Sequence, residues 1–192
     1  PLPGSSRPLS NSGDCGGTTI PLKQALVTSC NTAFAGLGMK LGQDAVRAQA
    51  SKFGFGSTDE LPQLGAAKSN FPASLDAAQL AQSSIGQFDV AATPLQMAMV
   101  GAGIANDGVV MQPYLVQQVR AADLTVLDNA SPKRFSEAMT AANAKSLQDM
   151  MVAVVTDGTG SRAAIDGVRV GGKTGTALTD GVHTPYAWFV AW

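Results

Sequence analysis

Two short stretches of the chain combine side chains that can do chemistry. Residues 171–176 read Gly-Gly-Lys-Thr-Gly-Thr, so that one cation and two hydroxyl groups stand among three glycines. Residues 29–31 read Ser-Cys-Asn, which places a hydroxyl and a carboxamide two positions apart. A lysine beside a bare strand edge can hold an anionic substrate group, and exposed backbone N–H groups can stabilise an oxyanion. The pattern therefore predicts a site for an anionic substrate.

A strand is predicted to carry the first stretch. Val168 and Val170 alternate with Arg169, which places the valines on one face, and the threonines that follow favour extended backbone. Glycine weakens a strand and is usually tolerated where a ligand or another backbone comes close. We expect this strand to pair with the apolar run 185–192 through a turn at 179–183.

A nucleotide site is the competing interpretation of the same residues. Residues 167–174 formally fit the phosphate-loop pattern, which needs a strand before its first glycine and a helix that starts at the lysine. Here the alternating apolar pattern lies inside the loop, and residues 175–183 contain two glycines and no helical period. The context therefore disfavours nucleotide binding.

A junction between two helices is predicted to carry the second stretch. Leu22, Ala25 and Leu26 fall at helical spacing behind Thr19 as a candidate N-cap, and Asn31 can cap the helix that follows. The alternative is that the serine and the asparagine only cap the helices at this junction and take no part in chemistry.

The remaining helices are predicted at 43–53, 76–86, 94–105 and 140–156. Thr93, Pro94 and Gln96 combine an N-cap, a proline at N1 and a glutamine at N3, which is a capping-box variant. Met97, Val100 and Ile104 are predicted to form the buried face of that helix. Short strands are expected within 109–128. Helices followed by a hairpin indicate an α+β domain with an antiparallel sheet.

The overall composition excludes several classes of function. The chain has 192 residues, enough for one domain with a substantial core, and 13 Lys plus Arg against 14 Asp plus Glu give a net charge of −1. With so little net charge, the composition lacks the excess of positive charge that is typical of proteins that bind nucleic acid or anionic lipid. No run approaches the roughly 18 apolar residues of a membrane span. Because an apolar run continues to the last residue, we expect a piece of a longer protein.

Two cysteines leave a redox question open at this stage. Cys15 and Cys30 are 15 positions apart, too far for a chelating pair, and His183 is the only histidine, so no metal site is predicted. In an oxidising compartment the two cysteines could form a disulfide, which in the chain-entropy model contributes roughly 3 kcal/mol. In the cytosol they would be free thiols.

The motifs together resemble those of class B penicillin-binding proteins. Penicillin-binding proteins and class A β-lactamases carry Ser-x-x-Lys, a Ser-Asp-Asn-type triplet and Lys-Thr-Gly. This chain has the second at 29–31 and the third at 173–175. Residues 84–87 (Ser-Ile-Gly-Gln) and 92–98 (Ala-Thr-Pro-Leu-Gln-Met-Ala) resemble the connecting region of class B enzymes. The stretch from residue 2 to residue 34 looks like the penicillin-binding protein A type.

The resemblance covers nearly the whole chain and implies its fold and reaction. The fold is a serine β-lactamase/transpeptidase-like α+β fold, with residues 1–192 as part of one transpeptidase domain. Such enzymes acylate a serine with the penultimate residue of a D-alanyl-D-alanine stem peptide and pass the acyl group to an amine. Ser29 would relay protons to the leaving group, Asn31 would hydrogen-bond the substrate amide, and Lys173 would supply positive potential.

The same resemblance assigns substrate-binding roles on the predicted strand. The hydroxyls of Thr174 and Thr176 would bind the terminal carboxylate. The Thr176 N–H would be half of the oxyanion hole, a donor whose loss in other acyl-transfer enzymes costs about 100- to 1000-fold. Gly175 would keep the strand edge clear.

One motif of the family is missing from the sequence. No serine is followed by a lysine three positions later, and in this family that nucleophile precedes the Ser-x-Asn triplet. We therefore expect the nucleophile to lie upstream of Pro1 and the chain to be inactive alone. Two alternatives remain open. A serine β-lactamase would need a further carboxylate, but Glu60 and Glu137, the only glutamates, lie in no recognisable deacylation motif. A β-lactam sensor or binding module on the same fold is the other.

The resemblance also implies partners and location. The partners it implies are peptidoglycan stem peptides, β-lactam antibiotics, the upstream part of the same protein and cell-wall synthesis proteins; no nucleic acid, cofactor or metal is implied. The site of cell-wall synthesis is the extracytoplasmic face of the membrane. In that compartment Cys15 and Cys30 are expected to be bridged.

Overall fold

The computed structural model describes residues 2–4, 8–57, 65, 67–178 and 183–192. The first five helices begin in the first half of the chain, and all six described strands lie in the second half together with the longest helix. The helices are α1 (Leu22–Val27), α2 (Asn31–Leu41), α3 (Gln43–Lys52), α4 (Ala77–Ser83), α5 (Pro94–Ala105) and α6 (Ala141–Asp157), with a 3-10 turn at Ser161–Ala163. The strands are β1 (Val109–Met111), β2 (Gln118–Arg120), β3 (Val126–Asn129), β4 (Arg134–Glu137), β5 (Gly172–Ala177) and β6 (Tyr186–Ala191).

Side-chain caps fix the starts of three helices. Asp76 accepts a hydrogen bond from the backbone N–H of Gln79, whose side chain accepts one from the N–H of Asp76, and this capping box starts α4. The Thr93 hydroxyl caps α5 as predicted, and the Thr140 hydroxyl caps α6. A short polar side chain at the right position therefore locates these boundaries in the sequence.

Three details of the predicted helix ends are wrong. The N-cap of α1 is Pro21 and not Thr19. Asn31 is the first residue of α2 and not its cap, because its carboxamide donates to the Ser10 carbonyl at 3.0 Å. The Gln96 side chain does not return to the N-cap of α5. It is fully buried and donates to the Phe53 carbonyl at 2.6 Å, which ties α5 to the end of α3.

Two groups of helices build the interior. In one, α6 contacts α1, α5 and β5, with Val154 and Ala153 buried against Val27. In the other, α2 packs on α4 at a close approach between Gly38 and Ser84. The buried face of α5 includes Met99 and Ile104, whereas Met97 and Val100 are only half-buried, so the predicted face is rotated.

The strands pair into three separate two-stranded antiparallel sheets among the described residues: β1 with β4, β2 with β3, and β5 with β6. The predicted strand starts later than expected, because Val168 lies in a tight turn bridged to Ile165 and extended pairing begins at Gly172. Residues 114–116, expected in a strand, are irregular, and β4 was not predicted.

This combination of helices and antiparallel sheets confirms the α+β class. Within the described ranges, no helix has the length and apolar character needed to cross a bilayer. The connection between β5 and β6 was predicted at 179–183, and residues 179–182 lie outside the described residues, as do Glu60 and the rest of 58–64.

Candidate active site

Strand β5 presents one backbone edge to β6 and the other to an open cleft. Gly171 and Trp192 exchange both backbone hydrogen bonds, at 3.0 and 2.9 Å. In an antiparallel pair such positions alternate with positions that point away from the partner strand. In this register the N–H and C=O groups of Thr174 and Thr176 point away from β6 and toward the cleft.

The glycines at the start of β5 make room for aromatic rings rather than for a ligand. A Cβ atom at Gly171 would lie 2.4 Å from the Trp192 ring, and one at Gly172 would lie 2.5 Å from the Phe189 ring. Glycine is required at both positions because the rings of β6 and of the residue that follows it lie directly on the backbone. The sequence-based interpretation of these two glycines as a ligand approach is therefore corrected.

Ser29 lies in the left-handed backbone region at the end of α1. The Cys30 N–H donates to the Ala25 carbonyl at 2.8 Å and the Ser29 N–H donates to the Leu26 carbonyl at 3.2 Å. These two bonds form a Schellman motif, whose left-handed residue is usually glycine. Here that residue is Ser29, with φ of 55°. A serine in this conformation is uncommon and is held by its surroundings.

The Lys173 ammonium joins the helix junction to the strand. Its Nζ donates to Ser29 Oγ at 2.7 Å and to the Thr174 carbonyl at 2.9 Å. No carboxylate pairs with Lys173 among the described residues. Burial without a counter-charge lowers the pKa of Lys173 below its ordinary value. The arrangement is a lysine and a serine in direct contact, in which the lysine gives up its proton more readily than an exposed lysine does.

A disulfide fixes the residue between Ser29 and Asn31. Cys15 and Cys30 are joined with an Sγ–Sγ distance of 2.07 Å, and Cys30 is buried. Asn11 braces the same turn, since its Oδ1 accepts from the Thr32 N–H at 2.9 Å. The Ser29–Asn31 segment is therefore attached to the N-terminal loop by the disulfide and, directly after it, by a backbone hydrogen bond to Asn11.

Two residues that contact the cleft-lining threonines of β5 escaped the sequence analysis. The Thr159 hydroxyl is 2.7 Å from the Thr174 hydroxyl, and Gln87 Nε2 donates to the Thr176 carbonyl at 2.9 Å. Thr159 follows α6 in an irregular segment that carries no recognised motif. Gln87 did belong to a quoted stretch, residues 84–87, but the sequence gave no signal that this stretch contacts β5.

The predicted residues converge on one cleft of about 950 Å³. Its wall includes Ser29 and Asn31 from the helix junction, and residues 173–176 from β5. Lys173 contacts both Ser29 and Thr174, whereas the Asn31 carboxamide is bound to Ser10. Gly175 is exposed there, and its missing Cβ would lie 3.2 Å from Trp188 on the partner strand.

The cleft is suited to an acyl group that carries a negative charge. It offers the Lys173 ammonium, the hydroxyls of Ser29, Thr174 and Thr176, and the outward N–H groups of β5, which are groups of the kind that stabilise a developing oxyanion. Glu137, one of the carboxylates considered above, does not line the cleft and is paired with Arg134. In the described part of the chain, no three histidine, cysteine or acidic side chains are grouped to hold a metal.

Comparisons of the sequence and of the structure with known proteins indicate the same protein family. The family model "Penicillin binding protein transpeptidase domain" matches residues 7–192. The peptidoglycan D,D-transpeptidases PbpA of Mycolicibacterium smegmatis and Mycobacterium tuberculosis are 44% and 41% identical over 197 residues. Both alignments cover 100% of this chain and 40% of the relative, so the chain spans less than half the length of these proteins.

A solved structure matches the backbone equally well. The ceftriaxone acyl-enzyme complex of penicillin-binding protein A from M. tuberculosis superposes with a TM-score of 0.92 at 40% sequence identity. The match covers 100% of this chain and 44% of that one.

Proposed function

We propose, since this chain belongs to the penicillin-binding protein transpeptidase domain family, that it forms part of the domain of a peptidoglycan D,D-transpeptidase of class B. The single observation that supports this most strongly is the 2.7 Å contact between Lys173 Nζ and Ser29 Oγ, which joins two motifs that are 144 residues apart in sequence. Elements from both ends of the chain contribute to the one cleft, so we treat residues 1–192 as part of one domain.

The proposed reaction is acyl transfer through a serine ester. A serine Oγ attacks the carbonyl carbon of the penultimate D-alanine, the C–N bond to the terminal D-alanine breaks, and the leaving amine takes up a proton. An amine of a second stem peptide then attacks the ester and releases the serine. With penicillin, the β-lactam C–N bond opens in the first step and the ester remains.

Ser29 and Lys173 are proposed to move the proton in this reaction. Ser29 accepts a hydrogen bond from Lys173, so its own O–H remains a donor that can face the leaving nitrogen. Lys173 can resupply that proton because its lowered pKa brings its charge change closer to neutral pH. Asn31 is proposed to hold the substrate amide, which requires its carboxamide to exchange the Ser10 carbonyl for the substrate.

Thr174 and Thr176 are proposed to bind the terminal carboxylate and the oxyanion. Their backbone N–H groups face the cleft, and the Thr174 hydroxyl is within 3.5 Å of Lys173 Nζ, so charge and donors meet at one place. The Thr176 N–H would be one donor of the oxyanion hole, and the second donor would come from the nucleophile segment. Gly175 leaves the strand between the two threonines without a side chain.

The nucleophilic serine is proposed to lie outside residues 1–192. None of the serines has a lysine three positions later, and the curated relatives are more than twice as long. Alone, the chain would then lack the acyl acceptor. The proposed location is the extracytoplasmic face of the membrane, where an intramolecular disulfide persists. The proposed partners are stem peptides, β-lactams, the rest of the same protein and other cell-wall synthesis proteins.

Intact-mass spectrometry with benzylpenicillin tests this proposal. We expect no adduct on the 192-residue chain and one stable penicillin adduct on the longer natural protein that contains it. In the longer protein, Ser29→Ala should slow acylation by about 100-fold or more, which is typical of a lost proton-transfer group. Ser131→Ala removes an exposed hydroxyl outside the cleft and serves as the matched control.

Two outcomes would contradict the proposal. A stable adduct on the 192-residue chain would show that a serine within it is acylated, with Ser29 the first to examine. Rapid release of opened penicillin from the longer protein would indicate a β-lactamase.

A further inference from the structure

The stretch 84–87 has no role in the proposed reaction, yet it reaches the edge of β5. Gln87 Nε2 donates to the Thr176 carbonyl at 2.9 Å, across 89 residues of sequence. That carbonyl points away from β6, and in the described structure no further strand pairs with β5 on this side. The side chain of Gln87 therefore occupies a backbone acceptor on a strand edge that faces the cleft.

The backbone of this loop is built to hold Gln87 in place. The Gln87 N–H donates to the Gln82 carbonyl at 3.0 Å, and the Gly86 N–H donates to the Ser83 carbonyl at 3.0 Å. These bonds form a Schellman motif at the end of α4, with Gly86 left-handed at φ of 75°. Phe88, the next residue, is also left-handed at φ of 61°. A left-handed aromatic residue is a true outlier that persists only where its surroundings impose it.

An extended peptide in the cleft would need the same acceptor. Peptides commonly bind to a free strand edge by adding a strand, and their backbone N–H groups donate to outward carbonyls of the edge. The outward carbonyls of β5 are those of Gly172, Thr174 and Thr176. Of these residues Thr174 and Thr176 line the cleft, and Lys173 already donates to the Thr174 carbonyl. The Thr176 carbonyl is therefore the acceptor at which a substrate N–H and the Gln87 carboxamide compete.

We propose that Gln87 is a specificity-determining residue that substrate displaces. In this structure its carboxamide donates to the Thr176 carbonyl as a backbone amide would. An acyl donor with a correctly placed N–H replaces it and gains the bond, whereas a ligand without that N–H leaves Gln87 in place. This inference rests on the proposed function, because the displacing ligand is the acyl donor of that reaction.

Acylation kinetics of the longer natural protein test the competition. The rate of acylation is measured against benzylpenicillin concentration, which separates the dissociation constant of the initial complex from the limiting rate. Gln87→Met keeps an unbranched side chain of similar length without an N–H donor, and Gln87→Ala removes the side chain. Both should lower the dissociation constant about five-fold, as expected for removing one neutral competing hydrogen bond. The limiting rate should not change. Gln117→Ala, at an exposed loop position, is the matched control.

A spectroscopic arm tests displacement without relying on acylation. In protein labelled with ¹⁵N at glutamine side chains, the Gln87 carboxamide signals are followed as Nα,Nε-diacetyl-L-lysyl-D-alanyl-D-alanine is added. They should move to the positions of a solvent-exposed carboxamide as the peptide saturates.

The two arms distinguish failure of the inference from failure of the proposed function. Lack of acylation of the wild-type longer protein would overturn the proposed function, and the peptide titration would still decide the role of Gln87. Unchanged constants in both variants, a weaker initial complex or a lower limiting rate would overturn displacement, as would carboxamide signals that stay in place. A lower dissociation constant in Gln87→Ala but not in Gln87→Met would show that the size of the side chain, and not its N–H donor, causes the change. That result would also overturn displacement.

Discussion

Lys173 is the residue on which the electrostatics of the cleft depend. Its ammonium has three neutral hydrogen-bond acceptors, at 2.7, 2.9 and 3.5 Å, and no carboxylate partner among the described residues. Hydroxyl and carbonyl dipoles replace part of the lost hydration, but they do not supply a counter-charge. The folded chain therefore holds this proton less tightly than the unfolded chain does, and the pKa of Lys173 is lowered.

The lowered pKa of Lys173 predicts how stability depends on pH. The unfolded chain binds the lysine proton with its ordinary pKa of about 10.4, so unfolding takes up a proton between the lowered pKa and that value. The free energy of unfolding should therefore rise with pH in this window, relative to a Lys173→Met variant, and the difference should be constant below it. Urea denaturation of both proteins from about pH 8 to about pH 10.5 measures the effect. A difference that falls as pH rises would contradict it.

At the residue scale, the sequence predicted chemical types better than conformations. Ser29, Lys173 and Thr174 were found because their types and order form known motifs, and the structure brings them together. The left-handed backbone of Ser29 was not predictable, because glycine normally marks that position. Gln87 was missed as a site residue because its partner is 89 residues away and is a backbone carbonyl. Every residue has such a carbonyl, so the sequence does not mark which one is the partner.

At the scale of elements, the ends of two helices place polar side chains against strand β5. Helices α1 and α4 both end in Schellman motifs, and the residues at these ends include Ser29 and Gln87. Such a motif fixes the direction in which the chain leaves the helix, so each side chain is positioned by helix termination rather than by a loop. The position of α4 against α2 therefore controls the geometry of the cleft.

The contact between α2 and α4 predicts a position-specific effect of alanine. A Cβ at Gly38 would lie 1.8 Å from Ser84 Oγ and 2.4 Å from Ser84 Cβ, so Gly38→Ala must push the helices apart. We expect a loss of about 1–3 kcal/mol in the free energy of unfolding, which is typical of overpacking. Gly36→Ala, on the exposed side of the same helix, should gain up to about 1 kcal/mol. Chemical denaturation of the two variants gives both values.

A second substitution distinguishes the clash from other causes. Ser84→Gly removes both atoms that meet the new Cβ, so it should restore much of the stability that Gly38→Ala loses. No rescue in the double variant would contradict this account.

Element boundaries were predictable where a side chain makes the cap. Thr93, Thr140 and Asp76 have short polar side chains that mark α5, α6 and α4, and the predicted starts are confirmed. The start of β5 was placed too early, because alternation at Val168 resembles a strand while the chain turns back to Ile165 there. The alternation of residues 168–170 does not predict the contacts with the rings of Phe189 and Trp192 that determine where strand pairing begins.

Arg169 gains a role only from the tertiary structure. Its guanidinium pairs with Asp149 on α6 at 2.7 Å and lies 5.0 Å from the centre of the Trp192 ring. It thereby connects the entry to β5, the end of β6 and a core helix. The two contacts explain a residue to which the sequence analysis could give no function.

At the scale of the molecule, the described apolar surface is unusually open around the last strand. Tyr186 is 67% exposed and Phe189 is 42% exposed, although both belong to β6. Two-stranded sheets are only marginally stable by themselves and normally depend on further strands or helices that cover them. The chain therefore carries apolar surface of the kind that marks an interface with more protein.

The open surface predicts a difference between this chain and the longer protein. If the rest of the domain covers β6, the 192-residue chain should bind the dye 8-anilinonaphthalene-1-sulfonate more strongly than the longer natural protein does at equal molar concentration. Equal dye fluorescence would show that β6 is not covered.

The three consecutive residues 29–31 leave the backbone toward three different places. Ser29 contacts Lys173 on β5, Cys30 is bonded to Cys15, and Asn31 binds the carbonyl of Ser10. Each partner belongs to a different segment of the chain, so the segment works as a three-way junction with no spare position. An insertion or deletion of one residue there would shift every side chain to its neighbour's partner. A change in the length of this segment should therefore disturb more contacts than a substitution of any one of its residues.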